Sequence, residues 1–253
     1  MAKIISFTNQ KGGVGKTTSA VNVAASLGVI GKKTLLLDLD PQGNTTSGLG
    51  IIKKKLRLTA YDVLLGYCSA KEAVIETKFD NLSIIPTNIA LSGAEFELFE
   101  LEDSKLMLKK ALSELDSEYD YIIIDCPPSL GMLTINALIA SDGVIIPMQC
   151  EFYSLEGLSQ LMITLTQVKK KYNPDLLITG ILITMYNGRL LLSMQVLSEL
   201  KRHYGDKLFR TMISRNVKLS EAPSFGVPVY YHDKHAKGSG EYLDVAREIT
   251  ERI

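Results

Sequence analysis

This chain of 253 residues predicts an α/β fold: a single doubly wound domain, a mostly parallel β-sheet with helices on both faces. Three observations carry the expectation. Short apolar runs recur with little alternation, as strands covered on both faces require. Helical segments fill the gaps between them, from one end of the chain to the other. A glycine-rich turn follows the first apolar run and leads straight into a helical stretch, which opens a βαβ unit.

The elements follow in order. Residues 3–9, KIISFTN, read as a buried strand, and a helix is expected from about Thr17 to Ile30 with Gly31 as its stop. Residues 34–38, TLLLD, form the second strand, and 121–125 (YIIID), 144–148 (VIIPM) and 176–184 add three more. Residues 82–86 and 208–213 are further candidate strands. Residues 104–115 and 155–172 are the most regular helical stretches, and 239–253 reads as a terminal helix with Ser239 as a candidate N-cap. No repeat, low-complexity tract or Pro/Ser-rich linker interrupts the alternation, so one domain over residues 1–253 is expected.

Composition sets limits on function. Apolar residues make up 46% and charged residues 22%, which suits one sizeable core. The 28 basic and 28 acidic residues cancel, so any nucleic-acid surface must be local. Cys68, Cys126 and Cys150 are odd in number and lack CxxC spacing, which argues against a disulfide framework or a zinc site. The first residues lack a signal-peptide core, and no apolar stretch reaches membrane-spanning length. A cytoplasmic protein is expected.

The strongest motif is Lys11-Gly12-Gly13-Val14-Gly15-Lys16-Thr17-Thr18. The ordinary phosphate loop reads GxxxxGK[ST], and here Gln10 takes the first glycine position. The chemistry survives that change. Gly12, Gly13 and Gly15 let backbone N–H groups turn toward phosphate oxygens, and the following helix offers its N-terminal N–H groups. Lys16 would reach the β- and γ-phosphates, Thr17 would bind Mg²⁺, and Thr18 would contact the α-phosphate. Asp125, after four apolar residues, has the form of a Walker B carboxylate that holds the metal through water. Asp38 and Asp40 end the second strand before Pro41 and Gly43 break it. Asp40, on the loop, is favoured to activate the attacking water. Asp38 is read equally as a plain strand terminus or as a supporting carboxylate.

With these residues in place, the chain resembles the ParA/MinD class of deviant Walker A ATPases, and within it the chromosomal ParA (Soj) partitioning proteins. Four ordered blocks carry the resemblance: residues 9–18, 38–50, 125–131 and 215–224. It implies ATP and Mg²⁺ as ligands and Lys11 as a signature lysine that reaches the partner's nucleotide across an ATP-bound homodimer. It implies Asp40 as the catalytic carboxylate and Asn216 as a contact to adenine. It also implies a ParB-type partner and non-specific binding to double-stranded DNA on the nucleoid. Two positions depart from the family pattern: Ser214 replaces a proline, and Lys218 replaces an arginine and loses its planar fork.

The local charge for DNA lies in residues 169–218, with ten Lys/Arg against three acids, a net +7. Such a cluster suits salt-sensitive, sequence-blind phosphate contact. Arg189 and Lys218 are the leading candidates, followed by Arg215 and Arg202. The terminal segment 242–253 has three acids against two arginines, a poor lipid anchor, so its apolar face is expected in the core rather than on a membrane. Cys126 and Cys150 are expected to be buried apolar residues rather than cluster ligands. The chain begins almost at its first strand, so no N-terminal helix-turn-helix domain is expected.

Overall fold

Runs of apolar residues too short for helices extend into seven strands: β1 (Lys3–Phe7), β2 (Thr34–Asp38), β3 (Ile75–Glu76), β4 (Leu82–Ile85), β5 (Tyr121–Asp125), β6 (Gly143–Gln149) and β7 (Leu177–Thr184). They belong to a computed structural model that describes residues 1–253. The strands form one sheet in the order β3-β4-β2-β5-β1-β6-β7. Every neighbouring pair is parallel except β3 with β4, which is antiparallel.

The absence of alternation in the sequence has a direct cause. Successive residues of the central strands point to opposite faces, and both faces are covered. Ile5, Phe7, Leu36, Ile123 and Leu182 pack on one face against the helices Lys16–Val29 and Lys237–Arg252. Ile4, Leu35, Leu37, Ile122 and Ile124 pack on the other, beneath helices that include Met107–Leu112 and Met132–Ala140. Val144, Ile146, Ile181 and Ile183 continue that second face under Phe152–Lys171 and Leu191–Tyr204. Each fully buried aliphatic side chain contributes about 1.5–3 kcal/mol relative to exposure.

The helix Lys16–Val29 is buried almost all round, and its small residues allow close packing. At Gly28 a Cβ would lie 2.0 Å from the Asp80 carbonyl, so no side chain fits there. Gly31, at φ +86°, ends the helix as expected: its N–H bonds Gly28 O, and Lys32 N–H bonds Leu27 O.

Three expectations need correction. Residues 208–213 do not form a strand; they meet β7 through an isolated bridge between Ile181 and Leu208 and through Ile213 N–H, which donates to Ile183 O. Glu248 takes the N–H groups of Arg210 and Thr211 that a ladder would need. Ser239 is not the cap of the last helix. Ala236 holds that position, while the Ser239 hydroxyl lies inside the fold and donates to Asp233 O. The stretch 104–115 is helical only over Met107–Leu112, with a 3-10 turn at Ser113–Leu115. The terminal helix itself behaves as expected: Tyr242, Val245, Ala246 and Ile249 are buried in the core. No helix is long and apolar enough to cross a membrane. Cys126 and Cys150 are both buried.

Candidate nucleotide site

Parallel register brings the chemistry together. Phe7, Asp38 and Asp125 stand in one row at the carboxyl ends of β1, β2 and β5, which are adjacent in the sheet. The glycine loop leaves β1 at that end, where open α/β sheets bind ligands. Asn9 starts the loop: its Oδ1 accepts from Lys11 N–H and its Nδ2 donates to Pro147 O. Gly13 and Gly15 have φ of +73° and +85°, a region that favours glycine. A Cβ at Gly12 or Gly13 would meet nothing within 4 Å, so space stands open in front of the loop. Gly15 then caps the helix that begins at Lys16, and Thr17 and Thr18 fall in its first turn.

Lys16 is buried and its Nζ donates to Lys11 O at 3.1 Å. Burial pulls its pKa down, while the charges of Asp125 and Asp40 pull it back up. Asp125 is fully buried. Its Oδ2 accepts from the Thr45 hydroxyl at 2.7 Å, whereas Oδ1 has no full hydrogen bond, although Thr17 stands near enough to favour the charged form. Burial pushes this carboxyl up to about 6 against those two hydroxyls. A buried, unpartnered carboxylate oxygen beside a threonine hydroxyl is a donor set that suits a hydrated divalent cation.

Asp38 and Asp40 play different parts. Asp38 is buried and accepts from both Thr46 N–H, at 2.8 Å, and the Thr46 hydroxyl, at 2.6 Å. It ties the following loop to the strand end. Burial, with help from Asp125, pushes its carboxyl up to about 7. Asp40 lies on the loop itself, and its Oδ1 accepts from Gln42 N–H. Gly43 then turns left-handed at φ +63° to start the short helix Asn44–Gly48.

A cavity of about 320 Å³ adjoins Gly15 and Thr18, and Met185, Ser214, Asn216 and Tyr242 help to line it. Asn216 caps the short helix Val217–Glu221 through its Oδ1, which accepts from Lys218 N–H. Ser214 makes use of its departure from proline: its N–H and hydroxyl both donate to Glu241, at 3.0 and 3.1 Å. Behind this segment Gly50 and Gly226 meet backbone to backbone. A Cβ on Gly226 would lie 2.5 Å from Gly50 Cα.

The Lys11 ammonium pairs with Glu151, just ahead of the helix Phe152–Lys171. The basic candidates lie elsewhere. Arg189 is exposed on a loop and Arg202 on the helix Leu191–Tyr204, neither with an ion partner. Arg215 is exposed at the cavity's edge. Lys218 is engaged by Glu221 at 2.9 Å, which raises its pKa. Arg210 is likewise held by Glu248 and Glu251, and Lys207 by Asp206. Glu221, Glu248 and Glu251, folded in from outside that segment, therefore reduce the +7 counted along residues 169–218, in which Asp206 is already included.

Sequence reasoning missed Thr45, Thr46 and Glu151 as parts of the site. Thr45 and Thr46 were visible as hydroxyl residues just after Asp38 and Asp40. Glu151 carried no signal, because its partner lies 140 residues earlier.

Comparison with known proteins agrees along the whole chain. A family model described as an AAA domain matches residues 2–178. The sporulation initiation inhibitor protein Soj of Bacillus subtilis is 53% identical over 250 residues, 99% of each chain. The chromosome-partitioning ATPase Soj of Treponema pallidum is 50% identical over 252 residues, covering 100% of this chain and 98% of that one. Among solved structures, cobyrinic acid a,c-diamide synthase of Mycobacterium smegmatis with bound ADP and magnesium matches with a TM-score of 0.85 at 36% identity, over 98% of this chain and 93% of that one. A plasmid partition protein of Borrelia burgdorferi B31 bound to AMPPNP matches with a TM-score of 0.84 at 30% identity, over 100% of both chains. With the glycine loop, its second lysine and the aligned carboxylates already in view, these matches lead to one statement: the chain belongs to the ParA/Soj family of partitioning ATPases.

Proposed function

We propose that this protein is a nucleotide-driven switch that hydrolyses ATP, dimerises in its ATP state and binds DNA without sequence preference. In that state it would move a chromosome or plasmid with a ParB-type partner, on the nucleoid in the cytoplasm. The observation that carries the reading is the convergence of Lys16, Asp40 and Asp125 at or just beyond the carboxyl ends of the adjacent strands β1, β2 and β5.

The residues divide the work. Gly12 to Thr18 hold the triphosphate by backbone N–H groups, and Lys16 neutralises charge on its terminal phosphates. Thr17 and Asp125 are the groups fitted to Mg²⁺, which when bound screens the phosphate charge. Asp40 accepts a proton as a water oxygen attacks the γ-phosphorus, and the bond to the bridging oxygen breaks to release ADP. Asn216 contacts the adenine. Lys11 leaves Glu151 and reaches the partner's nucleotide, so that two copies complete one another's sites. Arg189, Arg202, Arg215 and Lys218 supply phosphate-backbone contacts to duplex DNA. A membrane-borne role of the MinD type is disfavoured, because the terminal helix uses its apolar face in the core.

The test is binding to a random-sequence duplex with ATP, with ADP and without nucleotide, each over a salt series. Binding that needs ATP and falls steeply with salt is expected. Equal binding in all three conditions, or none, overturns the reading. Lys11→Ala should keep ATP binding yet stay monomeric by light scattering; a normal ATP dimer would remove Lys11 from its role in trans.

A further inference from the structure

A glycine-rich loop is a poor scaffold for aiming dipoles, because its peptides turn over easily. Here two side chains from outside the loop hold consecutive carbonyls. Gln149, the last residue of β6, donates from Nε2 to Gly13 O at 2.8 Å. Thr184, the last residue of β7 and buried, donates from its hydroxyl to Val14 O at 2.7 Å. That single proton has a second acceptor in Met148 O at 3.2 Å, and the shorter contact goes to the loop.

The geometry has a consequence for the opposite side of each peptide. In a trans peptide the carbonyl and the following N–H point in opposite directions. A carbonyl of Gly13 drawn toward Gln149 turns Val14 N–H the other way. A carbonyl of Val14 drawn toward Thr184 does the same for Gly15 N–H. Met185, next along the chain, sits at φ +51°, a region that a non-glycine residue enters only where its surroundings impose it. Its sulfur lies 3.2 Å from Gln149 Nε2, so the bend after β7 brings both holding groups together.

We propose that Gln149 and Thr184 are positioning residues of the nucleotide site: they fix the Gly13–Val14 and Val14–Gly15 peptides so that their N–H groups face the phosphates. The inference rests on the reading of this loop as a phosphate site. It extends that site to the ends of β6 and β7, beyond the glycine motif.

The experiment compares Thr184→Val, Thr184→Ser, Gln149→Met and, as a control, Lys16→Ala in the full chain. Each is measured for melting temperature without nucleotide and for ATP affinity by titration calorimetry. Thr184→Val removes only the hydroxyl, and Gln149→Met keeps length while losing the donor. Each should weaken ATP binding about tenfold, the size of one hydrogen bond to a held group. Thr184→Ser should restore affinity to within about twofold. A purely structural role would lower the nucleotide-free melting temperature and leave ATP affinity intact; that result overturns the proposal for Thr184. Gln149 is partly exposed, so Gln149→Met remains informative even if Thr184→Val folds poorly. If Lys16→Ala abolishes binding while Thr184→Val and Gln149→Met bind ATP normally, the positioning role fails and the phosphate site stands. If Lys16→Ala also binds normally, the phosphate site itself fails, and the positioning role with it.

Discussion

Lys16 and Arg189 carry the same charge in opposite surroundings. Lys16 is buried, within reach of the charges of Asp125 and Asp40, with its ammonium turned onto the loop that it follows. Arg189 stands on an open loop with no ion partner, and the only bond at its position is from its backbone N–H to Asn187 Oδ1. The first region works by preorganisation in a low-dielectric site, where each group has one place to be. The second is suited to long-range attraction, where position matters less and salt matters more. Substitutions should therefore be severe and salt-independent at the strand ends, and graded and salt-dependent on the basic surface.

The largest expected effect is at Lys16. Lys16→Ala should weaken ATP binding by about a hundredfold or more, since it removes charge-assisted contacts to phosphate. Calorimetric titration checks it, and near-normal affinity would break the contrast at its stronger end. Next comes Asp40→Ala. It should keep ATP binding and dimerisation while turnover falls about a hundredfold, the lower range for loss of a general base. Normal phosphate release would take Asp40 out of the reaction.

The basic surface should respond more weakly. Arg189→Glu should lower DNA affinity about tenfold at low salt, reduce the salt slope by about one, and leave ATP affinity unchanged. Lys218→Gln should have a smaller effect, because Glu221 already holds that ammonium. Equal losses at the two positions, in filter binding over a salt series, would show that the ion pair does not restrain Lys218.

The smallest effect is a pH dependence confined to the buried region. The Asp38 carboxyl is raised from 3.8 to about 7 by burial and by Asp125. The folded state thus holds the proton more tightly than the unfolded chain. This contribution favours folding at low pH, declines as pH rises from 3.8 to about 7, and is constant above. Asp38→Asn should flatten that slope, so the nucleotide-free melting temperature gains on the wild type by a few degrees at pH 8 and less at pH 5. A parallel slope in the variant would assign the pH dependence elsewhere.

The same contrast explains what the sequence made legible. The strands were readable because each is a local apolar run, and the loop Lys11 to Thr18 because its parts are contiguous. Asp40 and Asp125 were readable as carboxylates at strand ends, and parallel register then places those ends side by side. Features that rest on distant partners were not readable. The 208–213 segment looks like a strand until Glu248 takes two of its amides, those of Arg210 and Thr211. Lys218 looks like a free cation until Glu221 pairs with it. Ser239 looks like a cap until the chain turns at Ala236 and buries it. Glu151 has no local mark at all, and only the folded chain places it against Lys11.

The contact between Gly50 and Gly226 sets a rule of clearance. One glycine follows the loop of Asp40, and the other follows the segment of Asn216. Each leaves room for the other's main chain and for nothing more. A methyl group on either side would act as a spacer, prising the two segments apart at the point where they bear on each other. Shrinking the opposite residue cannot compensate, because it is already the smallest available. Two stretches of chain about 180 residues apart therefore share a single mechanical tolerance, and the gap between them is held by what both positions lack.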